Sequence, residues 1–154
     1  MLPSVILFAL LPALALAMPS PLGKRFTSRT IRSGRDGKCL SLSVTAPFPS
    51  NGAEVFTEPC SAASLWDIDE GSGSILLAAH TGFALDAGSN PQNNGGLKVW
   101  QSYPGLFQQT WYLTGDNRIA ITGGNQCLDE DATNVQIYQC TTGNTNQVWY
   151  IGDA

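Results

Sequence analysis

A chain of 154 residues has one-domain length, and 43% hydrophobic against 13% charged residues, with 16 Gly and 9 Pro, describes a turn-rich globular protein. Disorder would need more charge and fewer apolar residues. A formal net charge of -4 disfavours general attraction to nucleic acid or to an anionic membrane surface.

The first element is a targeting signal. Val5 to Leu16 is almost continuously apolar, broken only by Pro12, and is short for a membrane span. It ends in Ala15-Leu16-Ala17, a small-x-small cleavage pattern, so residues 1–17 are expected to be a signal peptide, although no Lys or Arg precedes the apolar run. Residues 18–25 read as a propeptide. Pro19 and Pro21 lead to Lys24-Arg25, a dibasic pair of kexin type immediately before Phe26; two exposed basic residues in a tail are the alternative. No later apolar run is long enough to anchor the chain, so a secreted, extracellular protein without membrane insertion is expected. The remaining residues, 26–154, form one domain.

Arg29, Arg32, Arg35 and Lys38 cluster near the start of that domain. No aromatic residue is interleaved among them as base stacking would require, so they read as a solvated strand and loop with no nucleic-acid partner. Export places Cys39, Cys60, Cys127 and Cys140 in an oxidising compartment, where four cysteines allow three disulfide connectivities. They lack the paired short spacings of a zinc site, and neither metal nor cofactor is called for.

Threefold self-similarity organises the domain. A small residue or Cys followed by Leu recurs at Cys39-Leu40, Ala84-Leu85 and Cys127-Leu128. An apolar–aromatic pair follows at Val55-Phe56, Val99-Trp100 and Ile137-Tyr138, and a tryptophan closes each unit at Trp66, Trp111 and Trp149. The period is near forty residues. Asn51-Gly52 and Asn94-Gly95-Gly96 punctuate the first two units before the middle strand, and Asn125 comes earlier in the third. The pieces between turns are short, β-branched or aromatic and alternate in polarity, as in Val135-Gln136-Ile137-Tyr138; no helical period is sustained. One such unit cannot bury its own apolar face, so three must share a core containing the three tryptophans. The fold class read from the repeats is all-β with threefold pseudo-symmetry.

Gln109-Thr110-Trp111 and Gln147-Val148-Trp149 resemble the Gln-x-Trp signature of ricin B-chain-type lectins, from which Ser64-Leu65-Trp66 departs. Cys127-Leu128-Asp129 and Val135-Gln136-Ile137-Tyr138-Gln139-Cys140 are similar to the sugar-site strand pair of that family. The resemblance covers residues 31 to 152 and implies a β-trefoil that binds galactose-type or related sugars. Within it, the repeat pairs Cys127 with Cys140 and Cys39 with Cys60, while the second unit, with Ala84 and Ser102, lacks both partners together.

A neutral sugar offers pairs of hydroxyls and one C–H face, so its site needs a carboxylate acceptor, an aromatic face and amides. The resemblance assigns these in the third unit to Asp129, the stacking Tyr138, Gln136 on the same strand face, and Asn146, with Gln147 either supporting them or bonding backbone. In the second unit Asp86, Trp100, Gln108 and Gln109 form a weaker set, with Lys98 where the third unit has Gln136. The first unit is vacant, because Ser41, Ala63 and Ser64 replace the Asp, Asn and Gln. An enzyme would need convergent reactive groups, and His80, the only histidine, stands at a strand-to-turn junction. The expected partners are therefore glycans. The rival reading is a β-trefoil protease inhibitor acting through an exposed loop such as 45–51 or 89–96.

Overall fold

The computed structural model describes residues 24–43 and 48–153. The expected signal peptide, and the propeptide up to residue 23, lie outside the described residues. Among the described residues, thirteen strands and two one-turn 3-10 helices fall into three repeats. The first contains β1 (Arg25–Ser33), β2 (Cys39–Leu42), β3 (Val55–Glu58) and β4 (Trp66–Asp69). The second contains β5 (Leu76–Leu77), β6 (Phe83–Asp86), the short β7 (Gly95–Gly96), β8 (Lys98–Gln101) and β9 (Trp111–Leu113). The third contains β10 (Ile119–Ile121), β11 (Gln126–Glu130), β12 (Val135–Gln139) and β13 (Trp149–Gly152).

The outer strands of each repeat close a six-stranded ring. Antiparallel pairing links β13 to β1, β1 to β4, β4 to β5 and β9 to β10. A Gly73–Trp111 bridge joins the second repeat's two outer strands, and the Trp149 N–H donates to Asn117 O at 2.8 Å to complete the circle. The inner strands form three hairpins, β2–β3, β6–β8 and β11–β12. This arrangement is a β-trefoil.

The recurring Leu and Trp now have a physical cause. Trp66, Trp111 and Trp149 are fully buried, and each indole N–H donates to the carbonyl of the Leu that opens its own repeat: Leu40 at 2.9 Å, Leu85 at 3.1 Å and Leu128 at 3.0 Å. A buried donor without a partner would cost the full desolvation of the group. The three rings share one core with Ile31, Ile75, Ile119, Ile121 and the three leucines. Cys39 is bonded to Cys60 and Cys127 to Cys140, each bridge closing its own hairpin. In the chain-entropy description, loops of this length contribute about 3 kcal/mol each.

Asn-Gly turns lock the first and second hairpins onto the next repeat. The Gly52 N–H donates to Val99 O, and the Asn51 side chain accepts from Gln101 N at 2.7 Å. One repeat later, Asn94 N donates to Ile137 O and Asn93 accepts from Gln139 N at 2.8 Å. The 89–96 loop is thus tied down across β12. Gly95 suits this close approach, since a Cβ would stand 3.0 Å from Gln92 O and 3.1 Å from an Ile137 methylene, and a larger residue would push them apart.

The hairpin registers correct one alignment read from sequence. Cys127 pairs with Tyr138 and Ala84 with Trp100, whereas Cys39 pairs with Glu58. Glu58, not Phe56, is therefore the first repeat's counterpart of the two aromatics. The disulfide enforces this register, because Cys60 follows Glu58 by the same step as Cys140 follows Tyr138. Phe56 sits instead at the place of Lys98 and Gln136.

Candidate functional site

Each hairpin brings the residue after its Cys-Leu or Ala-Leu pair opposite the first half of its returning strand. In the third repeat, β11 places Asp129 directly across from Gln136. Asp129 is 3% exposed and lies at the floor of the surface, not at its mouth. Its carboxylate accepts from Gln136 Nε2 at 3.2 Å and from Asn144 Nδ2 at 3.4 Å. Two residues along β12, on the strand face that Gln136 occupies, Tyr138 stands exposed. These groups form one constellation: an oriented acceptor, two amides and an aromatic face.

Asn144 is the residue that pattern reading missed. It caps the second 3-10 turn, accepting from Asn146 N at 3.1 Å while its amide turns to Asp129. Asn146 enters this arrangement through its backbone N–H. Gln147 is fully buried and holds the chain after β12, accepting from Thr141 N at 2.8 Å and donating to Gln139 O at 3.0 Å.

The second repeat follows the same plan with different partners. Gln109 makes the two equivalent backbone bonds, from Tyr103 N and to Gln101 O, and also donates to Asp86 Oδ2 at 2.9 Å. Leu106 stands where the third repeat has Asn144, so the glutamine of the Gln-x-Trp element orients this carboxylate directly. Asp86 Oδ1 accepts from Gly88 N at 2.7 Å and lies 3.9 Å from Lys98 Nζ, whose ammonium is 6.0 Å from the Trp100 ring centre. A hollow of about 340 Å³ opens here, lined by Asp86, Lys98, Trp100, Tyr103, Leu106 and Gln108. Trp100 and Tyr103 present exposed rings to it. Gln108 also fixes the rim, its carbonyl accepting from Ala87 N.

The first repeat lacks both the aspartate and the aromatic at the stacking position. Glu58 occupies the stacking position and accepts from the Ser41 hydroxyl at 2.5 Å; the Ser41 and Ser64 hydroxyls are 3.2 Å apart. Ser64 takes the place of the glutamine, accepting from Leu42 N at 3.2 Å. The basic cluster is dispersed in the same way: Arg29 pairs with Asp153, Arg32 lies over the Tyr150 ring, and Arg35 and Lys38 flank Asp36. Among the described residues no group of three or more His, Cys, Asp or Glu side chains could hold a metal ion, and no helix is long and apolar enough to cross a membrane.

The sequence profile of the ricin-type beta-trefoil lectin domain matches residues 76–154, the second and third repeats. The chain belongs to the ricin-type β-trefoil lectin family. This is a carbohydrate-binding family, and the repeat that lies outside the match is the one whose acceptor and aromatic are replaced. Among solved structures, the designed threefold-symmetric protein ThreeFoil is 25% identical, with a TM-score of 0.65 over 82% of this chain and 98% of that one. The C-half of an earthworm R-type lectin, solved in complex with GalNAc, is 24% identical, with a TM-score of 0.62 over 83% and 99% of the two chains. The same lectin fold also occurs inside an enzyme. GalNAc-T7 shares it at 19% identity and a TM-score of 0.65, over 86% of this chain but only 23% of that one. No curated protein matches the chain in sequence.

Proposed function

We propose that the protein is an exported lectin that recognises galactose-type or related sugars through the third repeat, with the second repeat as a further site. The observation that carries this reading is Asp129, held by Gln136 and Asn144 beside the exposed ring of Tyr138. Both bonds to Asp129 are long, and no cationic side chain pairs with it among the described residues, so its oxygens can still take up sugar hydroxyls. Asp86 is more heavily engaged, by Gly88, Gln109 and Lys98. That difference ranks the third repeat first. In this proposal the protein acts by binding and not by catalysis, as its lectin family supports; His80, the single histidine, packs edge-on against the exposed ring of Phe48 at 5.8 Å. A glycan array with the mature protein tests the reading. Retention of glycans with terminal galactose or N-acetylgalactosamine is expected, and the absence of binding to any glycan would remove it.

Export and processing belong to the same proposal. Arg25 opens β1, with its guanidinium 3.7 Å from Asp67 and 3.9 Å from Asp69, and Lys24 O accepts from Glu70 N at 2.9 Å. A protease cutting after Arg25 needs this segment extended and free, so cleavage at the dibasic pair precedes closure of β1 on β4. Amino-terminal sequencing of exported material is expected to begin at Met18 or Phe26. Retention of Met1 would contradict export.

A further inference from the structure

The pseudo-threefold axis is broken at one seam between repeats. Residues 48–54 and 87–97 reach over the following hairpin, where Asn51 and Asn93 accept from Gln101 N and Gln139 N. At the third seam the equivalent loop is only 131–134, and the equivalent of Gln101 and Gln139 is Pro59, which has no N–H to donate. The seam stays open as a cleft of about 230 Å³ between the third and first repeats.

Its floor is chemically anomalous. By register, Glu130 stands where the other repeats have Leu42 and Ala87, and Thr57 stands where they have Val99 and Ile137. All four counterparts are buried apolar residues. Glu130 is itself 3% exposed; its Oε1 accepts from the Thr57 hydroxyl at 2.5 Å, and its Oε2 has no partner among the described residues. Burying a carboxylate with one oxygen unpaired opposes folding, and two of the three repeats show that the fold accepts hydrocarbon here. Asp131, the neighbouring carboxylate, is already committed. The backbone N–H groups of Thr133 and Asn134 bond to it and hold its pKa below the usual carboxylate value, with the Thr133 hydroxyl and Arg35 assisting.

The remaining walls select a ligand class. Phe56 presents an exposed ring to the cleft, and Arg35 and Lys38 stand at the rim around Asp36. Glu130 at the floor opposes an anion, and the charges at the entrance are already matched, Arg35 and Lys38 to Asp36. A neutral hydroxylated ring satisfies all of them, giving its C–H face to Phe56 and an O–H to the Glu130 carboxylate once that side chain turns its buried, unpaired Oε2 into the cleft. We propose that the cleft between Glu130 and Phe56 binds one sugar ring or a polyol of similar size, independently of Asp129 and Asp86. The inference rests on the lectin reading only for its class of ligand.

The test uses the mature, 15N-labelled protein carrying Asp86→Asn and Asp129→Asn, titrated in turn with galactose, N-acetylgalactosamine, glucose and mannose. At least one sugar is expected to shift the amide signals of Thr57, Glu130 and Asn134 saturably. Adding Glu130→Leu, the residue of the first repeat, is expected to weaken that response at least tenfold. Phe56→Ala, at an exposed ring, must weaken it similarly and keeps the test open should Glu130→Leu fail to fold. Seam signals that no sugar moves, as when Glu130 binds only a water molecule, overturn the proposal; so do shifts that survive both substitutions. Unmodified protein titrated in parallel separates the two claims. Shifts that leave Phe56 and Thr57 of β3 unmoved overturn this inference alone, and no shift anywhere overturns the lectin reading as well.

Discussion

Trp149→Ala is expected to lower the stability of the folded domain by about 3–5 kcal/mol, the range for removing a large aromatic from a core that cannot fully collapse. Trp149 is entirely buried, and its loss also strips the buried carbonyl of Leu128 of its donor. Against a typical total of about 5–15 kcal/mol, this is a large fraction. The corresponding fall in melting temperature is on the order of 10–20 °C for a domain of this size. Because the three tryptophans share one core, the transition should remain single and move as a whole. Trp100→Ala is the control. That ring is 37% exposed, so its removal should leave the melt nearly unchanged. Thermal and urea melts of both variants check the contrast, and equal losses would show that the repeat tryptophans are not the shared core.

Asp129→Asn should abolish measurable sugar binding at the third repeat while leaving the domain folded. A hydrogen bond to a charged acceptor contributes about 1.5–3 kcal/mol, and a sugar that gives two hydroxyls to one carboxylate loses both when the charge goes. Even one such bond corresponds to a loss of about tenfold or more. Asparagine is preferable to alanine because Asp129 is buried and accepts from Gln136 and Asn144. Alanine would leave both donors unpaired, with a stability cost of about 1–3 kcal/mol that obscures the binding result. Asp86→Asn should affect only the second repeat, with a smaller change, since Lys98 already offsets part of that charge. Titration calorimetry with galactose, lactose and N-acetylgalactosamine separates the two contributions. Unchanged affinity in the Asp129→Asn/Asp86→Asn double variant would place binding elsewhere.

What could be read from the chain and what could not divide along a physical line. The Cys/Ala-Leu and Trp elements were legible because each repeat buries these side chains completely in or against the shared core and bonds its indole N–H to the backbone carbonyl of the Leu. Asn51-Gly52 and Asn94-Gly95 were legible as turns but not as clasps, since their partners, Val99 and Ile137, lie in the following repeat. The first repeat was misaligned because Val55-Phe56 mimics an apolar–aromatic strand pair. The corrective signal was present in the spacing of Cys60 from Glu58. In the sites, Asp129 with Gln136 and Asp86 with Gln109 come together in the folded chain. The part played by Asn144 was hidden, because a 3-10 cap that turns its amide onto a distant carboxylate leaves no periodic trace. Glu130 was hidden for a related reason. Beside Asp129 and Asp131 it reads as part of a solvated acidic run, and only the register shows it standing in an apolar position.

A crystal structure of the mature protein with the sugar that the array selects tests the central claim most directly. A ring lying on Tyr138 with two hydroxyls within about 3 Å of the Asp129 carboxylate is expected, and at higher sugar concentration a second ring on Trp100 above Asp86. A sugar bound away from both hairpins, with Asp129 and Asp86 still holding only their protein partners, would contradict it.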